Sequence, residues 1–363
     1  MPMKITRLAL RDFRNFEALE LDELSSGINV FAGHNAMGKT NLIEAVNYLS
    51  CGKSFRNAPD QKLIRDGQGF AGIFAQYETA SHRGKIEVGI FGESKRSIRL
   101  NGLPIKKISE LMGAVNSIVF APEDLRVIKE SPSLRRKMMD MELCKISTGY
   151  YHDLQNYMLA LRSKNKLLKE SRAQEGVIRA YSEQMAAYGA NMIRRRAEFV
   201  EKLNAYGSIF YENLQDVKEN IKIRYKCSAE PENAQQSLLD KMQMNAKRER
   251  EMGTSLVGPH REDLEILING KDSKIYASQG QQRTAMLALK LASLEIAQEQ
   301  TGESPILLLD DVFSELDQRR RESLMEIVSN RQVFITCTDL EGMEKFSGAF
   351  YYTVEQAKVN RKS

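Results

Sequence analysis

The sequence has no apolar run near the roughly 18 residues that a membrane-spanning helix needs. Residues 1–7 also lack the apolar stretch of a secretory signal. These two absences argue against a membrane-embedded or exported chain. We therefore expect a cytoplasmic protein that makes no use of a membrane.

Cysteine and histidine are scarce, with four of each in 363 residues. No two cysteines form a C-x-x-C pair, and this spacing argues against a zinc site. We expect reduced, buried thiols at the following positions: Cys51, Cys144, Cys227 and Cys337.

A strong charge imbalance is missing as well, because the formal net charge is only +5. Such a charge permits a nucleic-acid partner without requiring one, so the placement of basic residues matters more than their sum. The length predicts two or three domains, and a hydrophobic fraction of 42% is sufficient for a full core.

Residues 33–40 read G-x-x-x-x-G-K-T, the pattern of a phosphate-binding P-loop. Its glycines let successive N–H groups point at phosphates, Lys39 supplies a positive charge, and the Thr40 hydroxyl can ligate Mg²⁺. A strand pattern precedes the loop and a helix pattern follows it, as the mechanism requires. The predicted ATP-binding residues are Gly33, His34, Asn35, Ala36, Met37, Gly38, Lys39 and Thr40.

Residues 305–311 read P-I-L-L-L-D-D, an apolar strand that ends in two carboxylates and is typical of a Walker B motif. We predict that Asp310 holds Mg²⁺ together with Thr40, and that Asp311 is the catalytic carboxylate that orients a water molecule. Because Thr40 and Asp310 lie 270 residues apart, the two ends of the chain must build one ATPase domain.

Between these motifs the hydrophobic period changes from two to about 3.6 residues, which predicts an inserted, mainly helical domain. Its longest apolar stripe runs from Ile178 to Phe210 and is interrupted only near Arg195. The predicted fold class is α/β, a P-loop ATPase head that is split in sequence, with a helical arm. The predicted domains are 1–124 (head), 125–250 (arm) and 251–363 (head).

Two short segments are similar to further motifs of ABC-type ATPases. Residues 277–284 resemble the signature motif, with Ser278, Gly280 and Gln281 as predicted contacts to ATP, and residues 314–317 resemble the D-loop. In that superfamily the signature of one subunit binds the γ-phosphate held by another, and a serine hydroxyl beside a helix N-terminus suits an anion. The resemblance implies that the split head is of the ABC type, a split ABC-type P-loop ATPase head, and that the protein forms an ATP-dependent homodimer.

Several polar residues outside these motifs are weaker candidates. Arg11 and Asn15 lie in the link between two N-terminal strands, where they could contact ATP or form a solvated turn. Basic clusters could contact DNA phosphates, although a solvated helix face is the usual role of such a run. These clusters are residues 194–196, residues 135–137, Lys247 with Arg248 and Arg250, and Lys53 with Arg56.

Together, motifs along nearly the whole chain resemble the RecF family of bacterial recombination and gap-repair proteins, short-armed relatives of the SMC ATPases. The motifs are L-R-D-F-R-N at 10–15, the P-loop, V-F-A-P-E-D-L at 119–125, G-P-H-R at 258–261, the signature and the Walker B segment. The resemblance implies a two-lobed head, ATP-dependent homodimerisation and weak ATPase activity. It also implies binding to single-stranded and gapped double-stranded DNA, and cooperation with RecR and RecO in loading the recombinase RecA and inducing the SOS response.

The sequence departs from the common ABC pattern at two positions. Asp311 stands where ABC ATPases commonly have glutamate, and Thr338 stands where transporters have a switch histidine. Because aspartate has a shorter side chain than glutamate, we expect Asp311 to hold a water molecule less well, and the resulting slow hydrolysis fits a switch better than a motor. The alternatives, a transporter nucleotide-binding subunit and a P-loop phosphotransferase, account less well for the long insertion and for the signature and D-loop segments.

Overall fold

The computed structural model describes residues 3–92, 95–170, 174–215, 218–313, 316–340, 346 and 348–362. The first elements in chain order are β1 (Lys4–Phe13), β2 (Phe16–Leu21), β3 (Ile28–Ala32), α1 (Lys39–Cys51), β4 (Phe70–Glu78), β5 (Arg83–Phe91), β6 (Lys95–Leu100), β7 (Leu103–Pro104), β8 (Ser117–Phe120), α2 (Leu125–Lys129), α3 (Pro132–Ile146), α4 (Thr148–Leu168) and α5 (Glu175–Asn213). The remaining elements are β9 (Ile221–Lys226), α6 (Ala234–Met244), α7 (Ala246–Met252), β10 (Asp263–Ile268), β11 (Lys271–Asp272), α8 (Ser273–Tyr276), α9 (Gln279–Thr301), β12 (Ile306–Asp310), α10 (Gln318–Ile327), β13 (Val333–Cys337), β14 (Phe350–Glu355) and β15 (Lys358–Lys362).

The chain divides into two compact units. The head unit comprises Met1–Asp124, Asn213–Asp216 and Lys290–Ser363. The arm unit comprises Leu125–Glu212 and Val217–Leu289, so it includes the signature segment as well as the inserted helices.

The described part of the head unit contains two sheets as well as helices such as α1 and α10. One is antiparallel, with strand order β2-β1-β4-β5-β6-β7. The other has the order β15-β14-β3-β13-β12-β8, in which β15 is an antiparallel edge strand and the others run parallel. Strands β3 and β8 come from the N-terminal part of the chain and β12 to β15 from the C-terminal part. The predicted head that is split in sequence is therefore confirmed.

The hydrophobic core of the head unit joins side chains of both sheets and of α1. Phe31 on β3 stacks on Tyr352 of β14, with ring centroids 4.7 Å apart. Every residue of β12 is buried, as expected for a parallel strand that is covered on both faces. This packing positions the C-terminal edge of the parallel sheet, where open α/β sheets bind ligands.

The arm unit combines helices with a sheet of strand order β11-β10-β9. Helix α5 is continuous over 39 residues and passes Arg195 without a break. The apolar stripe is interrupted there because the buried face of the helix carries a charged residue, the adjacent Arg196. It donates to Asp140 (2.7 Å), Glu262 (3.0 Å) and the main-chain oxygen of Pro259 (2.9 Å).

Two of the basic clusters considered for DNA contact are therefore partly structural. Arg196 is only 1% exposed, and Arg135, which is 7% exposed, donates to both carboxylate oxygens of Asp263 at 2.7 and 2.9 Å. Because these two side chains are internal, DNA contact by these two clusters stays a prediction only for their other members. Lys247 and Arg248 on α7 remain exposed.

Among the residues that the structure describes, every helix is too short or too polar to span a lipid bilayer.

Candidate nucleotide-binding site

The P-loop connects β3 to α1, as its pattern predicts. Gly38 has φ 111°, and a Cβ atom there would lie 2.7 Å from the Asn15 side chain. A residue with a side chain would be strained in this conformation and would collide with Asn15. Glycine therefore lets the loop close tightly before α1 begins at Lys39.

Asn15 contacts the P-loop itself. Its Nδ2 donates to the Met37 main-chain oxygen (3.2 Å), and its Oδ1 accepts a hydrogen bond from Asn41 Nδ2 (2.7 Å). The Met37 oxygen also accepts a bond from the Ala357 main-chain N–H at 3.2 Å. Asn15 and the turn between β14 and β15 thus brace the loop from outside.

The rest of the L-R-D-F-R-N motif also has a structural role. Arg14 donates two hydrogen bonds of 2.8 Å to the fully buried carboxylate of Glu44 on α1. Asp12 accepts a bond of 2.8 Å from Arg65. Arg11, by contrast, has a side chain that is 80% exposed. Because Leu8 and Leu10 of β1 point into the core, Arg11 at the next position points to the opposite face.

Lys39 is 6% exposed, and its ammonium group is held inside the P-loop. The Nζ atom donates to the main-chain oxygens of Gly33 and His34, the latter at 3.0 Å. The main-chain N–H of Gly33 donates to Cys337 at the end of β13 (3.1 Å). The loop therefore carries a positive charge at the C-terminal edge of the parallel sheet, where phosphates bind in proteins with this motif.

The structure brings Thr40 and Asp310 together across 270 residues of sequence, since Thr40 Oγ1 donates to Asp310 Oδ1 at 3.0 Å. Thr336 on the neighbouring strand β13 donates to the same oxygen at 2.7 Å. Burial raises the pKa of the Asp310 carboxyl, while these two hydroxyl donors act in the opposite direction. The arrangement of a hydroxyl beside a buried acid suits a divalent cation with oxygen ligands.

Asp311 has a left-handed backbone conformation, with φ 52°. Its main-chain N–H donates to Thr336 Oγ1 at 2.9 Å. The Thr336 hydroxyl therefore accepts from the main chain of Asp311 and donates to the carboxylate of Asp310. Sequence analysis missed Thr336. Its role depends on the pairing of β12 with β13, which places Asp310 opposite Thr336.

A cavity of about 270 Å³ lies at this edge of the sheet. Its lining residues are Asn35, Ala36, Gly38, Lys39, Thr40, Asn41, Arg56, Asp310 and Asp311. Five of the predicted P-loop residues and both Walker B acids therefore surround one space, whereas Arg11 and Asn15 do not line it. The main-chain donors, cations and acids of this lining fit a nucleotide phosphate chain with its magnesium ion.

Asn41 and Arg56 line the cavity although sequence analysis did not assign them to a nucleotide site. Arg56 Nη1 donates to Asn41 Oδ1 at 3.4 Å, and its side chain is otherwise exposed. The pattern K-S-F-R at 53–56 offered a basic residue shortly after the P-loop helix. Only the tertiary structure, however, shows that this segment lies next to the P-loop.

The signature residues belong to the arm unit. Ser278 is exposed directly before α9, and its Oγ accepts a hydrogen bond from the main-chain N–H of Gln281 at 3.2 Å. Gly280 lies in the first turn of that helix. In the D-loop segment, Ser314 and Glu315 lie outside the described residues. Asp317 caps α10 by accepting a bond of 2.9 Å from the main chain of Arg320.

The split α/β head, the P-loop and the adjoining Walker B acid define an ABC-type P-loop ATPase. The family model described as the RecF/RecN/SMC N terminal domain matches residues 4–361. The chain belongs to the RecF family of DNA replication and repair proteins, because relatives of that name are 41% identical to it over nearly its full length.

One such relative, from Clostridium botulinum (strain ATCC 19397 / Type A), is aligned over 99% of this chain and 100% of its own length. Another, from Clostridium novyi (strain NT), is 41% identical over 95% of both chains. A solved structure of the recombination mediator protein RecF-ATP in the RecFOR pathway has a TM-score of 0.92, 35% identity and 99% coverage of both chains. The Smc head domain from Pyrococcus furiosus shares the fold, with a TM-score of 0.58 and 17% identity over 99% of this chain and 96% of its own.

Proposed function

We propose that the chain is a slow ATPase whose ATP-bound form dimerises and binds DNA at single-strand gaps. In this role it acts with RecO and RecR to help load the recombinase and supports the SOS response. The observation that carries the proposal is the convergence of Lys39, Thr40 and Asp310 on one cavity, in a chain that belongs to the RecF family.

In the proposed complex, the P-loop main chain and Lys39 bind the phosphates of ATP. Thr40 and Asp310 hold the magnesium ion, which supplies charge neutralisation for the phosphate chain. The 3.0 Å contact between these two side chains supports this assignment, because it places a hydroxyl and a carboxylate oxygen close enough to share one cation. Burial raises the pKa of the Asp310 carboxyl, and a bound cation would favour its charged form. A solved relative is described as RecF-ATP, which supports the choice of nucleotide.

Asp311 is the proposed carboxylate that orients the attacking water molecule. It lines the same cavity as Lys39 and Thr40, and its strained backbone is typical of functional positions. An aspartate reaches less far than the glutamate that is common in ABC ATPases. We therefore expect slow hydrolysis, which suits a switch between ATP-bound and released states.

The proposed homodimer forms when Ser278 of one protomer binds the γ-phosphate held by the P-loop of its partner. Ser278 is exposed at the start of α9, where main-chain N–H groups favour an anion. The preceding residues Ile275 and Tyr276 are 69% and 67% exposed. Neighbouring exposed apolar side chains are typical of an interaction surface, and they support a protein contact beside the signature.

DNA binding in the proposed function depends on exposed basic residues that contact phosphates without reading bases. Lys53, Lys247 and Arg248 are exposed, in contrast to the internal Arg135 and Arg196. The RecF relatives are described as DNA replication and repair proteins, and two solved relatives as mediators in the RecFOR pathway. These descriptions support DNA, RecO and RecR as partners.

The decisive measurement is the solution mass of the 41.3 kDa chain with and without ATP and Mg²⁺. We expect a monomer that becomes a dimer only when ATP and Mg²⁺ are both present, and tighter binding of that dimer to gapped DNA than to intact duplex.

Two variants separate the roles of the proposed site residues. Asp311→Asn should lengthen the lifetime of the dimer, whereas Ser278→Arg should retain ATP binding and remain monomeric. A mass that does not respond to nucleotide, or a Ser278→Arg variant that still dimerises, would contradict the clamp mechanism.

A further inference from the structure

The signature serine is connected to the arm unit by a chain of side-chain hydrogen bonds. Ser278 and Gln281 bond reciprocally: the Ser278 main-chain N–H donates to Gln281 Oε1 (2.8 Å), and the Gln281 main-chain N–H donates to Ser278 Oγ (3.2 Å). The other end of the Gln281 amide, Nε2, donates to Glu219 Oε1 at 2.6 Å. Glu219 lies 62 residues earlier in the chain, just before β9.

Glu219 is itself fixed by other residues of the arm unit. Its Oε2 accepts a bond of 3.0 Å from the hydroxyl of Tyr211, a fully buried residue near the end of α5. Its Oε1 also accepts a longer bond of 3.5 Å from Asn269 Nδ2. The adjacent main chain is held because Asn220 and Asn269 exchange bonds of 3.0 and 2.9 Å. The carboxylate therefore has a determined position at the end of the β9 and β10 pair.

This arrangement sets the orientation of the Gln281 amide. A carboxylate only accepts hydrogen bonds, so the NH₂ group of Gln281 must face Glu219 and its oxygen must face the Ser278 N–H. The Ser278 hydroxyl then accepts from the Gln281 main chain, and its own proton can be donated to an oxyanion. Glu219 thus acts on Ser278 through Gln281.

We propose that Glu219 is a positioning residue for the signature motif. It holds the Gln281 amide so that the Ser278 hydroxyl and the first N–H groups of α9 are presented to the γ-phosphate of ATP bound by a partner protomer. Through Tyr211, it also links the signature to the end of the long helix α5. This inference rests on the proposed function, in which Ser278 acts across the dimer.

The test compares ATP-dependent dimerisation of wild type, Glu219→Ala, Glu219→Gln and Gln281→Ala by sedimentation velocity. Glu232→Ala is the matched control, because Glu232 is an exposed acid in the same unit. Binding of a fluorescent ATP analogue to the monomer and the melting temperature are measured for each variant. Ser278→Arg serves as the variant that lacks a working signature.

We expect Glu219→Ala to weaken dimerisation by about 10- to 100-fold, as is typical when a hydrogen bond to a charged group is lost. Its monomer should bind ATP as wild type does, since the cavity lies in the other unit. Glu219→Gln should weaken dimerisation less than Glu219→Ala does, because its amide oxygen can still accept a hydrogen bond from Gln281. The double variant of Glu219→Ala and Gln281→Ala should dimerise no worse than Gln281→Ala alone, since both changes remove one interaction.

Three results would overturn the inference in distinguishable ways. If wild type does not dimerise with ATP, the proposed function fails together with it. If wild type dimerises, Ser278→Arg does not, and Glu219→Ala behaves like Glu232→Ala, only the role of Glu219 fails. If the two alanine changes are additive and the loss of dimer follows the loss of melting temperature, Glu219 is merely structural.

Discussion

The carboxylate of Asp310 is suited to bind a cation, but its burial as a charged group destabilises the free protein. Asp310 is 3% exposed, and burial raises the pKa of its carboxyl, with Glu123 and Asp311 adding to the effect. A buried negative charge without a cation is unfavourable even when hydroxyl groups donate to it. A bound magnesium ion would offset this cost.

Asp310→Asn should therefore leave the melting temperature of the free protein unchanged or raise it, because the amide oxygen can still accept from Thr40 and Thr336. The same change should remove most of the stabilisation by ATP and Mg²⁺, which for wild type is about 3 kcal/mol at a hundredfold excess over Kd. Thermal unfolding with and without ATP–Mg²⁺ measures both effects. Asp66→Asn, an exposed acid in the head unit, is the control. A full ligand response in Asp310→Asn would exclude Asp310 from the metal site.

At this scale, motif spacing predicted the P-loop and the two Walker B acids, because their chemistry depends on a short continuous segment. It did not predict Thr336, which strand register places beside Asp310. It also did not predict Asn41 or Arg56, which the fold of the chain brings to the cavity. Arg11 does not line the cavity, and its side chain points to solvent because of the alternation along β1, which its nearness to the P-loop strand in sequence did not reveal. Its contact with ATP stays a prediction.

The arm helices show that a break in a hydrophobic pattern need not break a helix. Near Arg195 the apolar stripe of α5 gives way to a buried polar cluster around Arg196, with acids from α3 and from the segment before β10. Buried charges are tolerated only when they are paired and hydrogen-bonded. Of the run of three arginines, Arg196 is therefore part of the interior, whereas Arg194 is exposed.

The G-P-H-R segment at 258–261 joins the same interior. His260 Nδ1 accepts a hydrogen bond from the Tyr157 hydroxyl (2.6 Å), while Nε2 donates to the main-chain oxygen of Ser255 (3.1 Å). Burial lowers the pKa of His260 from 6.5 to about 4, with smaller contributions from Arg261 and Arg136. The neutral imidazole suits these two bonds.

Because the folded pKa of His260 lies below the unfolded value, its contribution to stability is complete above about pH 6.5 and is lost as the pH falls towards 4. Between pH 7 and pH 5 this loss should be about 2 kcal/mol. Urea unfolding of wild type and His260→Gln at both pH values measures it, and the variant should lose less stability on acidification. The exposed His152→Gln is the control. Equal pH dependence of His260→Gln and wild type would show that His260 does not carry the effect.

Over the whole molecule, the exposed pair Ile275 and Tyr276 is the clearest apolar feature beside a predicted functional motif. Burial of such side chains at the centre of an interface contributes strongly to binding. In the proposed dimer these residues would be covered only when ATP brings two protomers together.

Ile275→Ser combined with Tyr276→Ser should weaken ATP-dependent dimerisation by about tenfold or more, because the apolar area no longer leaves water. Binding of ATP to the monomer should not change. Sedimentation velocity at several protein concentrations measures the dimer, with Met244→Ser, another exposed arm residue, as the control. If the double variant and the control dimerise equally, the contact surface lies elsewhere.

The sequence by itself determined the class of protein, since the P-loop, the Walker B strand and the long separation between them require a split α/β head with an insertion. These features depend on local backbone chemistry and on hydrophobic periods that are readable along the chain. Only the tertiary structure decided which basic residues are internal, that Thr336 joins the two Walker B acids, and that Glu219 holds Gln281. Such contacts depend on strand register and on long-range packing, which place residues far apart in sequence within hydrogen-bond distance.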